Sequence, residues 1–408
     1  MNRIIFPCLL VTAVMAGCAK DKSDEKRELV QVSLTPNQKS LVLSNNAFGF
    51  DMFRTINKAE NTDKNVFISP LSISLALAMT YNGANGDTKT EMQNTLRFPE
   101  LSADEINGYF QKLSNTLLDL DPTVKLGIAN SIWYREGFYV LPDFISINQS
   151  YYNAEVKALD FGDPASVDKI NGWVATKTND KIKKVIDDIS PDLVMFLINA
   201  IYFKGQWTYD FDKDLTAQGQ FHLSSTEQST VPFMHQKGTL HYYSNDSLQL
   251  LEMPYGQENF SMVVLLPKQG YSVSALAEGL TPEIWNGWLA DTSKANVEIA
   301  MPRFKFEYER KLNDDLIGLG MVKAFGPADF SKINPDADLY IDFVKHNSFV
   351  EVNEEGTEAA AVTVVGIVET SAPPEPTFIP FIADHPFIFA IRETTTNTIL
   401  FIGKVSSL

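Results

Sequence analysis

Cysteine placement is the tightest constraint on this chain: both cysteines, Cys8 and Cys18, fall within the first eighteen residues. Whatever the remaining sequence folds into has no disulfide, no thiol nucleophile and no cysteine-ligated metal, so it must hold together by burial. It has the means, because hydrophobic residues make up 44% and charged residues 21% of the 408. That balance excludes disorder and fibrous or coiled-coil architectures. Length alone, at about 150 residues per domain, would suggest two or three domains. Yet apolar residues are spread evenly, no proline- or glycine-rich linker parts two cores, and no internal repeat is present. One α+β domain of about 370 residues is the expectation.

The first seventeen residues read as a secretory signal. Arg3 precedes an apolar run from Ile4 to Met15, and the small pair Ala16-Gly17 stands before Cys18; such a positive start, apolar stretch and small-residue cut define the segment. The run falls short of the about 20 residues that a spanning helix needs. Met15-Ala16-Gly17-Cys18 resembles a bacterial lipobox, with Met15 where leucine is more usual. That resemblance implies cleavage before Cys18 and lipid on its sulfur; ordinary secretory cleavage without lipid is the alternative. Residues 18–40 form a charged tether, since Ala19 to Glu28 cannot bury enough apolar area to order itself. The expectation is a monomeric domain, 41–408, lipid-anchored at a bacterial cell envelope and facing periplasm or exterior. The formal charge of −17 repels phosphate backbones and argues against a nucleic-acid partner.

Helix and strand signals alternate along the domain. Asn46 to Lys58 carries apolar residues at helical spacing, and Ser69-Pro70 caps and opens a helix through Ile73 to Met79, with Gly83 and Gly86 as stops. Thr88–Leu96, Ser102–Leu120 and Ser166–Ile186 also read as helices. Leu126–Tyr134, Val194–Phe203, Leu248–Met253, Phe260–Leu266 and Val297–Phe306 read as strands, and Pro386–Ile391 with Thr398–Val405 as a hairpin. One segment departs from these patterns. After the alternating strand Ser348–Val352 come Asn353-Glu354-Glu355-Gly356-Thr357-Glu358, Ala359-Ala360-Ala361 and the β-branched run Val362–Val368. Pro373, Pro374 and Pro376 then stop it from continuing as a central strand. A strand-competent segment is thus tied between a glycine hinge and a proline spacer; a buried strand followed by a loop is the plainer reading.

These residues resemble the serpin family. Glu354-Glu355-Gly356-Thr357-Glu358-Ala359-Ala360-Ala361 is similar to the hinge of an inhibitory serpin's reactive-centre loop, here about 354–376. Asn65-Val66-Phe67-Ile68-Ser69-Pro70-Leu71-Ser72-Ile73, the block Leu197 to Trp207, Val231-Pro232-Phe233-Met234, Met301-Pro302-Arg303-Phe304 and His385-Pro386-Phe387-Ile388-Phe389 match further family blocks in order. The resemblance implies a five-stranded main sheet A, smaller sheets B and C, and eight or nine helices. It also implies a suicide mechanism: a target protease attacks the loop and forms an acyl-enzyme, and the loop then inserts into the main sheet. The protease supplies the chemistry, so no catalytic residue, cofactor or metal is expected of this chain.

With period two, Thr357, Ala359, Ala361, Thr363, Val365 and Ile367 would face inward on insertion, and Glu358 with the other even positions outward to solvent. By resemblance Ser69, Ser72, Asn199 and His346 form the shutter where strands part, and Arg303, Glu354 and Trp207 the breach where the loop begins. Family spacing from Gly356 puts the reactive bond between Thr370 and Ser371, with Val368 and Glu369 as alternative positions. The span from Gly356 to Pro386 is about five residues longer than usual, so counting from the far end disagrees. These residue types suit elastase-like serine proteases, with cysteine proteases a further target class, and the absence of nearby Arg or Lys disfavours trypsin-like ones.

Two rivals remain. None of His222, His235, His241, His346 and His385 sits in a metal-spaced pair, and no nucleophile-elbow or phosphate-loop motif occurs, which argues against an enzyme. The other rival is a non-inhibitory serpin-fold binding or structural module.

Overall fold

The computed structural model describes residues 29–357 and 377–408, apart from residues 61, 191 and 225. Cys18, Glu358, Ala359, Ala360, Ala361, Val368, Glu369, Thr370 and Ser371 lie outside the described residues. Nine α-helices occur among the described residues: α1 (Pro36–Ala59), α2 (Pro70–Tyr81), α3 (Gly86–Thr95), α4 (Ala103–Asp119), α5 (Pro142–Tyr152), α6 (Ala165–Lys177), α7 (Val273–Gly279), α8 (Pro282–Ala290) and α9 (Asn313–Gly318). The strands are β1 (Val66–Ile68), β2 (Val124–Arg135), β3 (Glu155–Leu159), β4 (Met195–Gln206), β5 (Ala217–His222), β6 (Gln228–Ser244), β7 (Leu248–Tyr255), β8 (Phe260–Pro267), β9 (Ser293–Pro302), β10 (Phe304–Lys311), β11 (Lys345–Asn353), β12 (Gly356–Thr357), β13 (Ile379–Ile382), β14 (Phe387–Glu393) and β15 (Ile399–Val405).

Local chemistry fixes the helix starts. Thr35 and Gln38 form a capping box before α1, and Ser69 caps α2 by accepting from the Ser72 amide, with Pro70 in the first turn. The strands form two sheets. The main sheet runs β10-β11-β12-β4-β2-β3, five full strands with the two-residue β12 lodged between β11 and β4. The other strands form one path, β1-β15-β14-β8-β7-β6-β9-β13, with β5 on β6. This path joins the two smaller sheets that the sequence implies, because β6 belongs to both: residues 241–244 pair with β7 and 228–233 with β5. The expected terminal hairpin is β14–β15. Between the sheets lies α2, nearly every side chain buried. Phe67 stacks there on Phe389 and Phe401, with centroids 5.4 and 5.1 Å apart.

Three sequence expectations need correction. The strand expected over Val297–Phe306 is two strands in different sheets, because Pro302 lacks a donor and the Arg303 amide instead donates to the Pro232 carbonyl. Gly86, expected as a stop, opens α3 at φ +51°. The helix expected to reach Ile186 ends at Lys177. Thr178 caps it, and Asn179 and Asp180 follow in the left-handed region at φ 52° and 59°.

Candidate functional site at the opening of the main sheet

After β11 the chain turns at Glu354-Glu355 and comes back as β12. Thr357 pairs with Val352 on one side and Gly205 on the other; Gly356 pairs with Asn353 and Gln206, both ladders antiparallel. Gly356 has φ +144°, and a Cβ there would lie 2.0 Å from the Gly205 carbonyl oxygen. Glycine is required at this position twice over, by the torsion and by the close approach of the Gly205 backbone. Thr357 is buried, facing inward as its place in the period-two pattern requires, and bonds to Tyr255, which stacks on Trp207 at 4.4 Å between centroids.

The expected breach residues meet here. The Trp207 indole N–H donates to the Asn353 carbonyl at 3.0 Å and its backbone amide to Glu355 at 2.9 Å. Arg303 Nε donates to Glu354 Oε1 at 2.6 Å, and the Thr216 hydroxyl donates to the same oxygen. Burial pushes the Glu354 carboxyl up, but the hydrogen bonds from Arg303 and Thr216 and the Arg303 charge outweigh it and hold the pKa below its ordinary value. Lys213, which sequence reasoning missed, pairs with Glu355.

The four expected shutter residues converge less tightly. The Ser69 amide donates to His346 Nε2 at 3.2 Å, its hydroxyl donates to the Leu400 carbonyl at 2.6 Å, and Ser72 is linked through the Ser69 cap. Burial lowers the His346 pKa to about 4, so the ring is neutral and accepts. Asn199 stands apart: its amide donates to Asn130 Oδ1 at 2.7 Å, while its own Oδ1 is buried without a partner. Ser348, whose hydroxyl donates to the Phe67 carbonyl at 2.5 Å, belongs to the same cluster and was missed.

Beyond Thr357 no strand pairing joins β4 to β11 among the described residues, and a slot runs between them. Just below Thr357 it holds a small cavity of about 10 Å³ beside Phe203 and Val350. Further down it widens to about 360 Å³, with Ser72 and Ile73 of α2 as floor, Asn199 and His346 on the walls, and Ile182 and Val185 above. Geometrically this is a vacant strand position with its first two residues filled.

The serpin family model, described as serine protease inhibitor, matches residues 43–408. The chain belongs to the serpin family. An uncharacterized serpin-like protein of Methanosarcina acetivorans is 37% identical over 99% of this chain and 98% of its own length. Tengpin, a thermophilic serpin solved in its native state, superposes with TM-score 0.83 at 34% identity, covering 93% of this chain and 96% of that one. Human thyroxine-binding globulin, complexed with thyroxine, gives 0.82 at 29% identity, over 91% and 99%. The architecture is therefore the serpin fold, and protease inhibition is the function general to the family.

Proposed function

We propose that this serpin is a suicide inhibitor of serine proteases, with cysteine proteases as a further target class, acting by insertion of its cleaved loop between β4 and β11. One observation carries the reading: β12 already occupies the top of a strand position whose lower part is open. Counting on in the same register, Glu358 would pair with Glu351 and Lys204, and Thr363 with His346 and Asn199. Thr363 thus brings a hydroxyl to the side of the unpartnered Asn199 oxygen. Even-numbered Val362 and Val364 would fall opposite Ala200 and Ile198, which pack with α6, so apolar residues suit these outward positions too. That revises the expectation of a wholly solvent-facing outward set. About 14 inserted residues at about 3.3 Å each would carry the cut end roughly 45 Å down the sheet, far enough to distort an attached protease.

Residues 367–371 favour elastase-like targets, with Thr370-Ser371 as the reactive bond and Val368 or Glu369 as alternatives. Cys18 is the proposed lipid site, anchoring the protein at a bacterial membrane. Incubation with elastase tests the inhibitor reading. The expected results are an SDS-resistant complex, a mass-mapped cut after Thr370, and a large gain in heat resistance on nicking. Turnover without complex, and a nicked form melting no later than the intact one, would overturn it. A non-inhibitory binding or structural module would give neither complex nor gain.

A further inference from the structure

The slot has a roof as well as walls. Leaving α6, residues 178–190 cross the outer face of the main sheet, and Ile182 lines both cavities while Thr178 and Lys181 overhang the upper one. Any strand moving into the slot must pass beneath this segment.

Its two sides are held differently. On the α6 side the anchoring is dense and buried. Asn171 Oδ1 accepts from the amides of Val185 and Ile186 at 2.8 and 3.1 Å, and its Nδ2 donates to the Ile186 carbonyl at 2.9 Å. The Thr178 hydroxyl accepts from the Ile182 amide and donates to Val174. The left-handed pair Asn179-Asp180 forms a sharp bend next to these bonds. Across the slot it is Lys181 that reaches β11. Its Nζ lies 3.7 Å from Glu351 Oε2 and 5.0 Å from the centre of the Phe349 ring. Lys305 of β10 flanks the same pair, 3.3 Å from Glu351 and 5.6 Å from the ring. A hinge of buried hydrogen bonds therefore faces a half-exposed electrostatic catch.

We propose that residues 178–190 are a flap hinged on α6 and latched to β11 through Lys181, and that Lys181 and Glu351 set the rate at which a strand enters the slot. This rests on the insertion reading above and names positioning residues for it. Half-exposed ion pairs and cation–π contacts are individually weak and screened by salt. Such a catch suits a flap that holds while the loop is intact and yields during insertion.

The test needs no protease. A synthetic peptide with the sequence of residues 357–368 is added to the full chain at 20 mM and at 500 mM salt, and its incorporation is followed by the gain in heat resistance. Lys181→Met keeps the alkyl stem over Phe349 and removes the charge; at low salt it is expected to take up peptide about three- to tenfold faster than the parent. Glu351→Gln should act in the same direction but less strongly, because it leaves the Lys181 charge over the Phe349 ring; the double variant should be no faster than Lys181→Met, and high salt should speed the parent more than either variant. Lys184→Met, whose lysine pairs with Asp187 inside the flap, should match the parent. Equal rates for parent and Lys181→Met, with peptide entering both, overturn the latch and leave insertion standing. Peptide entering neither overturns both.

Discussion

The hydroxyls of Thr357 and Tyr255 lie 2.6 Å apart and share one hydrogen bond inside the buried top of the main sheet. Thr357 is only 4% exposed there, so the residue that opens the period-two inward set already lies between β11 and β4. Thr357→Arg would set a cation against Tyr255, where desolvation costs several kcal/mol. The expected outcome is conversion from inhibitor to substrate: the loop is cut, but insertion stalls. Stoichiometry of inhibition against elastase is the measure, and unchanged trapping by the variant would be fatal to the prediction.

Gly356→Ala should undo the docking by another route. The alanine Cβ would meet the Gly205 carbonyl, and the left-handed φ adds strain of about 1–3 kcal/mol. β12 should leave its position, and hydrogen exchange across residues 354–357 should rise at least tenfold. Unaltered protection would mean that the contact relaxes at no cost.

The elements that carry this site are legible in the sequence because they are written in local signals, whereas the shutter and breach roles of their residues follow only from the family resemblance. The Ser69-Pro70 start, the alternation along β11 and the small-residue hinge each need only neighbouring residues to be recognised. What escaped depends on partners remote in the chain. Lys213 meets Glu355 across 142 positions, and nothing near either residue announces the other. The flap was read as more of α6 because Ile182, Val185 and Ile186 continue an apolar spacing; Thr178-Asn179-Asp180, which favours capping and left-handed turns, was the stronger signal. The division between β9 and β10 at Arg303 was hidden for a similar reason: both halves are strand, and only the third dimension separates their sheets.

Arg303→Met tests the breach. Glu354 is left as a buried carboxylate with Thr216 and backbone partners, but the arginine side chain is 42% exposed, so screening limits the loss. The expectation is a destabilisation of roughly 1 kcal/mol in the intact protein, read as a melting point lower by about 1–2 °C. Arg303→Lys should recover part of it. A melting point unchanged in the methionine variant would show that the pair contributes nothing to holding the hinge.

His346 should make the intact fold acid-sensitive in a defined window. Its ring is held neutral, with the pKa lowered by burial from 6.5 to about 4, and the Ser69 amide needs the unprotonated Nε2. Between those values the unfolded chain binds a proton that the folded one does not, so stability rises with pH across the window and is lost as pH falls from about 6.5 toward 4. At about 1.4 kcal/mol per unit the loss approaches roughly 3 kcal/mol by pH 4. Below that both states are protonated and this contribution to the slope ends. His346→Gln retains a side-chain oxygen as a hydrogen-bond acceptor but does not titrate. Denaturant melts at pH 7, 6, 5 and 4 should therefore show the parent losing stability faster than the variant. Parallel curves would mean that protonation of His346 does not set the acid sensitivity of the fold.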